Sequence, residues 1–263
     1  QEDIIKKFRP NVHFETIPVK RQAVFHQVKN ITFSKHALLN KDEQSDKLQS
    51  EIKRFIRNIA KDGLTLVVCS KTTRAVLTGV LKDSMGKESD LEGATVIHFG
   101  NLRGLNEYSQ YQNVIVIGRE QPSAISVENL ARGLYWDDKE PINFLPTIKG
   151  THKPFENEQR SYHLSNNLTQ SVSVQIHPDK RVQLLLEQIR EHETVQSIDR
   201  LRLLRDHEIG QRNVYILSSV PLDLTIDNLF SWTQLQKLVD LFDEAEGIIP
   251  LNPRHLMERC PKS

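Results

Sequence analysis

Short apolar runs separated by amphipathic stretches set the pattern of this chain. Leu64-Thr-Leu-Val-Val-Cys69 and Asn113-Val-Ile-Val-Ile-Gly118 are too short for helices and too continuously apolar for half-exposed strands. They predict strands buried on both faces, the mark of parallel sheets. Ala94-Thr-Val-Ile-His-Phe99 and Asn213-Val-Tyr-Ile-Leu-Ser-Ser219 predict two further strands. Upstream, Ala23-Val-Phe-His-Gln-Val28 and Ile31-Thr-Phe33 alternate and read as a strand or two.

Helical periods fill the spaces between. Ile52, Phe55, Ile56 and Ile59 predict a helix over 41–60 that Asp62-Gly63 ends. A helix over 73–81 follows the 64–69 strand, and Val127, Leu130, Ala131 and Leu134 mark a short one closed by Asp137-Asp138. Leu185, Ile189, Ile198 and Leu201 place one face of a helical run over 182–204 in a core. Leu235, Leu238, Val239, Leu241 and Phe242 do the same for 233–245. The stretch 82–93 reads as an exposed polar loop, and 160–177 as a hairpin or two packed on the end of a sheet. Helix, strand, loop and strand in this order predict an α/β doubly wound, mainly parallel sheet with ligands at the carboxyl ends of its strands. The divisions expected are an entry segment at 1–40, the α/β domain at 41–220 with an insertion at about 120–180, and a helical extension at 221–263.

At 263 residues and 38% hydrophobic, the chain can bury one large core or two small ones. Charge is nearly balanced, with 35 Lys+Arg against 34 Asp+Glu, so contact with nucleic acid has to be local. Two cysteines without metal spacing, no signal peptide and no long apolar run point to a cytoplasmic protein that does not enter a membrane. The start Gln1-Glu-Asp-Ile lacks an initiator Met and reads as an excised domain.

Three stretches carry candidate chemistry. Ser70-Lys-Thr-Thr-Arg74 opens a helix directly after a strand, where free N–H groups beside Lys71 and Arg74 suit a phosphate; an ordinary cap with solvated charges fits equally. Gly100-Asn-Leu-Arg-Gly-Leu-Asn106 gathers Asn101, Arg103 and Asn106 at the sheet edge, with Gly100 and Gly104 allowing close approach, or is simply a tight connecting loop. Gln196-Ser-Ile-Asp-Arg-Leu-Arg202 spaces an amide one turn from paired guanidinium groups that suit a transferred phosphoryl, or is a solvated arginine helix laced to Glu187, Glu191 and Glu193. In the insertion, Arg160, Tyr162 and His163 could stack on a base and touch a phosphate, although a plain hairpin explains them better.

Taken together, these stretches resemble the second RecA-like domain of superfamily-two-type DNA and RNA helicases. Ile97-His-Phe-Gly-Asn-Leu-Arg-Gly-Leu-Asn106, followed by a strand ending Val116-Ile-Gly-Arg119, is similar to helicase motif V. Gln196-Ser-Ile-Asp-Arg200 resembles motif VI, Gln-x-x-Gly-Arg-x-x-Arg, and 64–74 resembles motif IV or its neighbour. The wording of 184–202 is also similar to helicase-like replication proteins of bacterial mobile elements, plasmids and phages. Asp199 stands where the motif has Gly, Leu203 where it has its last Arg, and Asn106 where many relatives carry Asp.

The resemblance implies a division of labour. No Gly-x-x-x-x-Gly-Lys-[Ser/Thr] occurs and no acidic pair follows a strand, so ATP and Mg²⁺ would be held mainly by a first RecA-like domain outside this chain. Arg200, helped by Arg202 or Arg205, would stabilise γ-phosphate transfer, while Gln196, Asn106 and Gly104 would meet the nucleotide. Ser70, Lys71, Thr72, Arg74, Asn101 and Arg103 would grip a nucleic-acid backbone, DNA being the expected partner. The chain alone would not hydrolyse ATP. A second hypothesis is a degenerate, non-catalytic RecA-like module that binds single-stranded DNA or a protein. No nucleophile elbow, triad or metal-spaced cluster supports an enzyme complete in itself.

Overall fold

The apolar runs do become strands, and their pairing decides everything else. In the computed structural model, residues 2–15, 21–80, 88–101, 107–148, 151–152, 154–199, 203 and 210–245 are described. In chain order the strands are β1 (Val24–Val28), β2 (Thr65–Cys69), β3 (Ser89–Leu91), β4 (Ala94–His98), β5 (Asn113–Ile117), β6 (Thr147–Ile148), β7 (Thr151–His152), β8 (Glu156–Leu164), β9 (Thr169–Ile176), β10 (Asn213–Leu217), β11 (Thr225–Ile226) and β12 (Asn228–Phe230). The helices are α1 (Glu2–Phe8), α2 (Lys35–Leu39), α3 (Glu43–Lys61), α4 (Lys71–Thr78), α5 (Ala124–Leu134), α6 (Lys180–Glu187), α7 (Glu193–Asp199) and α8 (Trp232–Glu244).

Seven strands form the central sheet in the order β12-β1-β10-β5-β2-β4-β3. All neighbours pair in parallel except β3, which runs antiparallel to β4 at the edge. The protein is therefore α/β with a mostly parallel central sheet. Every residue of β2 and β5 is buried, because helices or packed segments cover both faces. On one face α2, α3, α4 and α8 pack through Leu38, Ile52, Phe55, Ile56, Leu77, Trp232 and Leu235. On the other, Ile198, Leu203, Tyr108 and Leu222 to Ile226 close over Leu66, Val68, Val114, Val116 and Ile216. A smaller core joins α5 to α6 through Val127, Ala131, Val182, Leu185 and Leu186.

Several boundaries differ from those expected, each for a local reason. The segment 82–93 is not only loop: Leu91 buries its side chain on α3, and Ser89–Leu91 becomes the antiparallel edge strand. The entry segment contains β1, which sits inside the sheet between β12 and β10. Ile31-Thr-Phe33 is not a strand, since Phe33 takes a positive φ of 47° to insert its ring beside Trp232. Residues 221–245 are no extension, because β12 pairs with β1 and Trp232 and Leu235 enter the main core. The helix after β2 starts at Lys71 and stops at Gly79, whose φ of +70° costs glycine nothing. The run 182–204 breaks into α6, one π turn (Gln188–His192) and α7. The π turn turns Arg190 inward, where the guanidinium donates to Gln175 O (2.7 Å) and to Glu191. The insertion does hold a long hairpin, β8 with β9, extended by β11 in parallel.

Two close contacts lock the carboxyl edge of the sheet. Gly118 leaves β5 at φ +69°, and a Cβ there would lie 2.5 Å from Phe33 O, so only glycine lets the β1 and β5 exits touch. Gln27 is fully buried on β1 and its Nε2 donates to Ser218 O and Val220 O, both at 2.8 Å. Gln27→Leu would leave those two carbonyls enclosed without a donor. It should lower stability by about 2–3 kcal/mol in urea denaturation, whereas an exposed change such as Lys237→Leu on α8 should cost far less.

Candidate functional site

In a parallel sheet all exits from β1, β2, β4, β5 and β10 open on one edge, where ligands of such sheets sit. The edge has two halves. The first lies past β2 and β4. Ser70 caps α4, its hydroxyl accepting from Thr73 N (3.1 Å) and sharing a hydrogen with Thr73 Oγ1 (2.9 Å). Lys71 is exposed and Thr72 half-buried beside it. The strand β4 ends in a 3₁₀ turn, Phe99–Asn101, on which α7 packs; α7 also rests on β5. The described parts of the motif V-like and motif VI-like stretches, 97–101 and 196–199, are thus brought together on one face.

The expected contacts divide accordingly. Lys71 and Thr72 stand where a backbone could reach them. Ser70 does not, since its side chain is buried and used as a cap. Arg74 is a clear correction: it is 0% exposed, and its guanidinium donates to Ser89 Oγ from Nη2 (2.7 Å) and Nε (3.2 Å). Its charge holds the edge strand β3 from inside. Gln196 is exposed on α7. Asn101 closes the 99–101 turn. Arg103, Gly104, Asn106, Arg200, Arg202 and Arg205 lie outside the described residues.

Two neighbours of Arg200 are informative. Asp199 accepts from Arg21 Nε (2.7 Å) and Nη2 (3.0 Å), a paired contact that ties the end of α7 to the chain leading into β1. Leu203 is buried in the core against β10 and β5, and its carbonyl accepts from Gln22 N (2.8 Å). The position that motif VI fills with its last arginine is therefore packing here. In the hairpin, Tyr162 is buried and donates to Ser219 O (2.7 Å), while Arg160 pairs with Glu187 (2.6 Å), so neither offers a stacking platform. Asp137 and Asp138 bind Lys7 (2.7 and 2.6 Å) and serve as its counter-ions.

The second half of the edge, past β1, β10 and β5, is a cavity of 440 Å³. It is lined by Thr32, Ser34, Lys35 and His36 after β1, Arg119 and Gln121 after β5, Ser173, Val174 and Gln175 of β9, and Ser219 and Val220 after β10. Burial, and then the charge of Arg190, pulls the Arg119 guanidinium down to about 10. Motif reading concentrated on the first half and passed over this one. The available signal was Arg119 directly after an apolar strand; the contribution of β9, more than 50 residues away in sequence, had none.

Among the described residues no group of three or more His, Cys, Asp or Glu is placed to hold a metal ion. Nor is any described helix long and apolar enough to cross a membrane. Cys69 is enclosed, and burial pushes its thiol up to about 12, which removes it from thiolate chemistry at neutral pH. No family model, curated protein or solved structure matches the chain.

Two expectations follow from this geometry. Arg74→Ala should lower stability by about 2–4 kcal/mol in urea, while Lys71→Ala should leave the midpoint almost unchanged; a surface role for Arg74 would give the reverse. His98, at the end of β4, is held below its ordinary 6.5 by burial and then by Arg74 and Lys71. The unfolded imidazole gains its proton near 6.5 and the folded one only at lower pH. Stability from this group is complete above that value and falls as pH drops through the folded value. Thermal melts from about pH 7.5 to about pH 5.5 should show a decline that His98→Gln makes shallower.

Proposed function

We propose that this chain acts as the second RecA-like domain of a nucleic-acid helicase or translocase. One observation carries the reading: β4, β2 and β5 are adjacent and parallel, and α7 packs on the turn that follows β4. Of the helicase-like stretches, 64–74 and 97–101 then reach the same edge of the sheet, and 196–199 lies on the face where α7 meets the turn after β4. Such a domain needs no phosphate cradle of its own. The described residues supply neither a phosphate-binding loop nor an acidic set for Mg²⁺, so both would be held by another domain.

In this proposal bound ATP supplies the phosphoryl group and the free energy of its transfer. Arg200 follows Asp199 in sequence, whose pairing with Arg21 fixes the end of α7, and its guanidinium would neutralise charge on that group. Gln196, one turn earlier and exposed, hydrogen-bonds at the same cleft together with Asn106. Lys71, Thr72 and Arg103 hold the nucleic-acid backbone in a salt-dependent, sequence-tolerant way.

A second reading has specific support. Asp199 is committed to Arg21 and Leu203 to the core, so a module that binds single-stranded DNA or a protein without meeting ATP also fits. One experiment separates the two. ATP turnover is measured in the protein that joins this chain to a phosphate-loop domain, with and without single-stranded DNA. The helicase reading expects DNA-stimulated turnover that Arg200→Ala reduces by about 10³-fold or more while the melting temperature stays put. Turnover that survives the change removes Arg200 from the mechanism. Absence of any turnover, with DNA binding retained, leaves the binding module.

A further inference from the structure

We infer that the cavity past β1, β10 and β5 is a binding site for a phosphate group, carried by a ligand up to mononucleotide size. It lies on the half of the edge that the helicase-like stretches do not use, and it does not depend on that reading. The lining is dominated by hydrogen-bond donors: Arg119, Gln121 and Lys35, with hydroxyls from Thr32, Ser34, Ser173 and Ser219. No carboxylate lines it. Glu120, next to Arg119, is drawn off by Lys35 at 3.0 Å.

Two donors are held ready and unused. Arg119 Nε donates to Gln121 Oε1 (2.9 Å), which fixes the amide with its NH₂ group away from that bond. Arg119 Nη1 and Gln121 Nε2 are then both enclosed without a partner. Leaving two such donors unsatisfied opposes folding, and one tetrahedral anion accepting from both, once the two side chains turn toward the cavity, would relieve it. A guanidinium edge, an amide and surrounding hydroxyls match the several acceptor positions of a phosphate better than the two oxygens of a carboxylate. The space, 440 Å³, exceeds what the anion alone fills and falls in the range of small-ligand sites.

One internal competitor exists. Glu191 acts on Arg119 through space, and although its Oε1 is taken by Arg190, its Oε2 is enclosed and without a partner. A small shift pairing Glu191 with Arg119 would satisfy both and leave no site. The test must therefore read ligand and ion pair separately.

Calorimetric titration of the full chain at constant ionic strength with inorganic phosphate, thymidine 5′-monophosphate and an oligothymidylate lacking terminal phosphates provides it. Binding of the first two, weakened about tenfold by Gln121→Leu and by Arg119→Gln but not by Lys237→Ala, an exposed change on α8 that does not line the cavity, supports a phosphomonoester site. Binding of the oligothymidylate alone, with the same sensitivity, supports the phosphate site with a phosphodiester strand as its source. Phosphate should also raise the melting temperature of the wild-type chain and not of Gln121→Leu, a readout that survives if Arg119→Gln folds poorly. Absence of binding by all three probes overturns the inference. So does binding indifferent to both substitutions, or a wild-type chain that phosphate fails to stabilise while Glu191→Gln destabilises it as much as Arg119→Gln.

Discussion

Parallel pairing from β1 through β10, β5 and β2 to β4, buried on both faces, is the constraint on which the rest depends. Parallel neighbours cannot be joined by tight turns, so each connection must cross the sheet and return. That rule puts α3, α4 and α8 over one face and α7, Leu203 and the Leu222–Ile226 segment over the other. It also sends five strand exits to the same edge. Those exits must then fit around one another, which explains the demand for glycine at 118 and the buried amide of Gln27 bridging two exits.

Much of this was legible because two-sided burial writes itself as continuous apolar runs. The strands at 64–69, 94–99, 113–118 and 213–219 and the amphipathic face of α3 needed no tertiary information. The misreadings have a common origin in residues whose role is set by distant partners. Ser89–Leu91 carries no strand pattern, yet pairs with β4 because Leu91 finds α3. The segment after 220 looked like an appendix, although Asp227 accepts from Phe25 N (2.9 Å) and Trp232 N donates to Asn30 (2.8 Å), stitching it to β1.

Charge was the least legible property. An arginine near a helix start reads as solvated unless its burial is known, and Arg74 is enclosed because its stem lies between α4 and β3. Arg190 lies in the helical run expected over 182–204, and the π turn rotates it inward, where it fixes β9 through Gln175. The same holds for the His177–Glu128 contact at 3.1 Å, formed by two residues 49 apart and both buried between α5 and β9. Spacing along the chain carries no trace of such pairs.

The two halves of the carboxyl edge differ in what already satisfies their polar groups. Past β2 and β4, Ser70, Thr73 and Arg74 are spent on the cap and on Ser89, and among the described residues of α4 Lys71 and Thr72 remain available to a ligand. Past β5, Arg119 and Gln121 bond to each other, and one donor on each is left without a partner. The insertion is what produces this difference. Ser173, Val174 and Gln175 of β9 close part of this cavity, and restricting water there favours an anion as the partner of donors left over. A hairpin that looks peripheral in the chain thereby decides which part of the sheet edge is a pocket and which part is a surface.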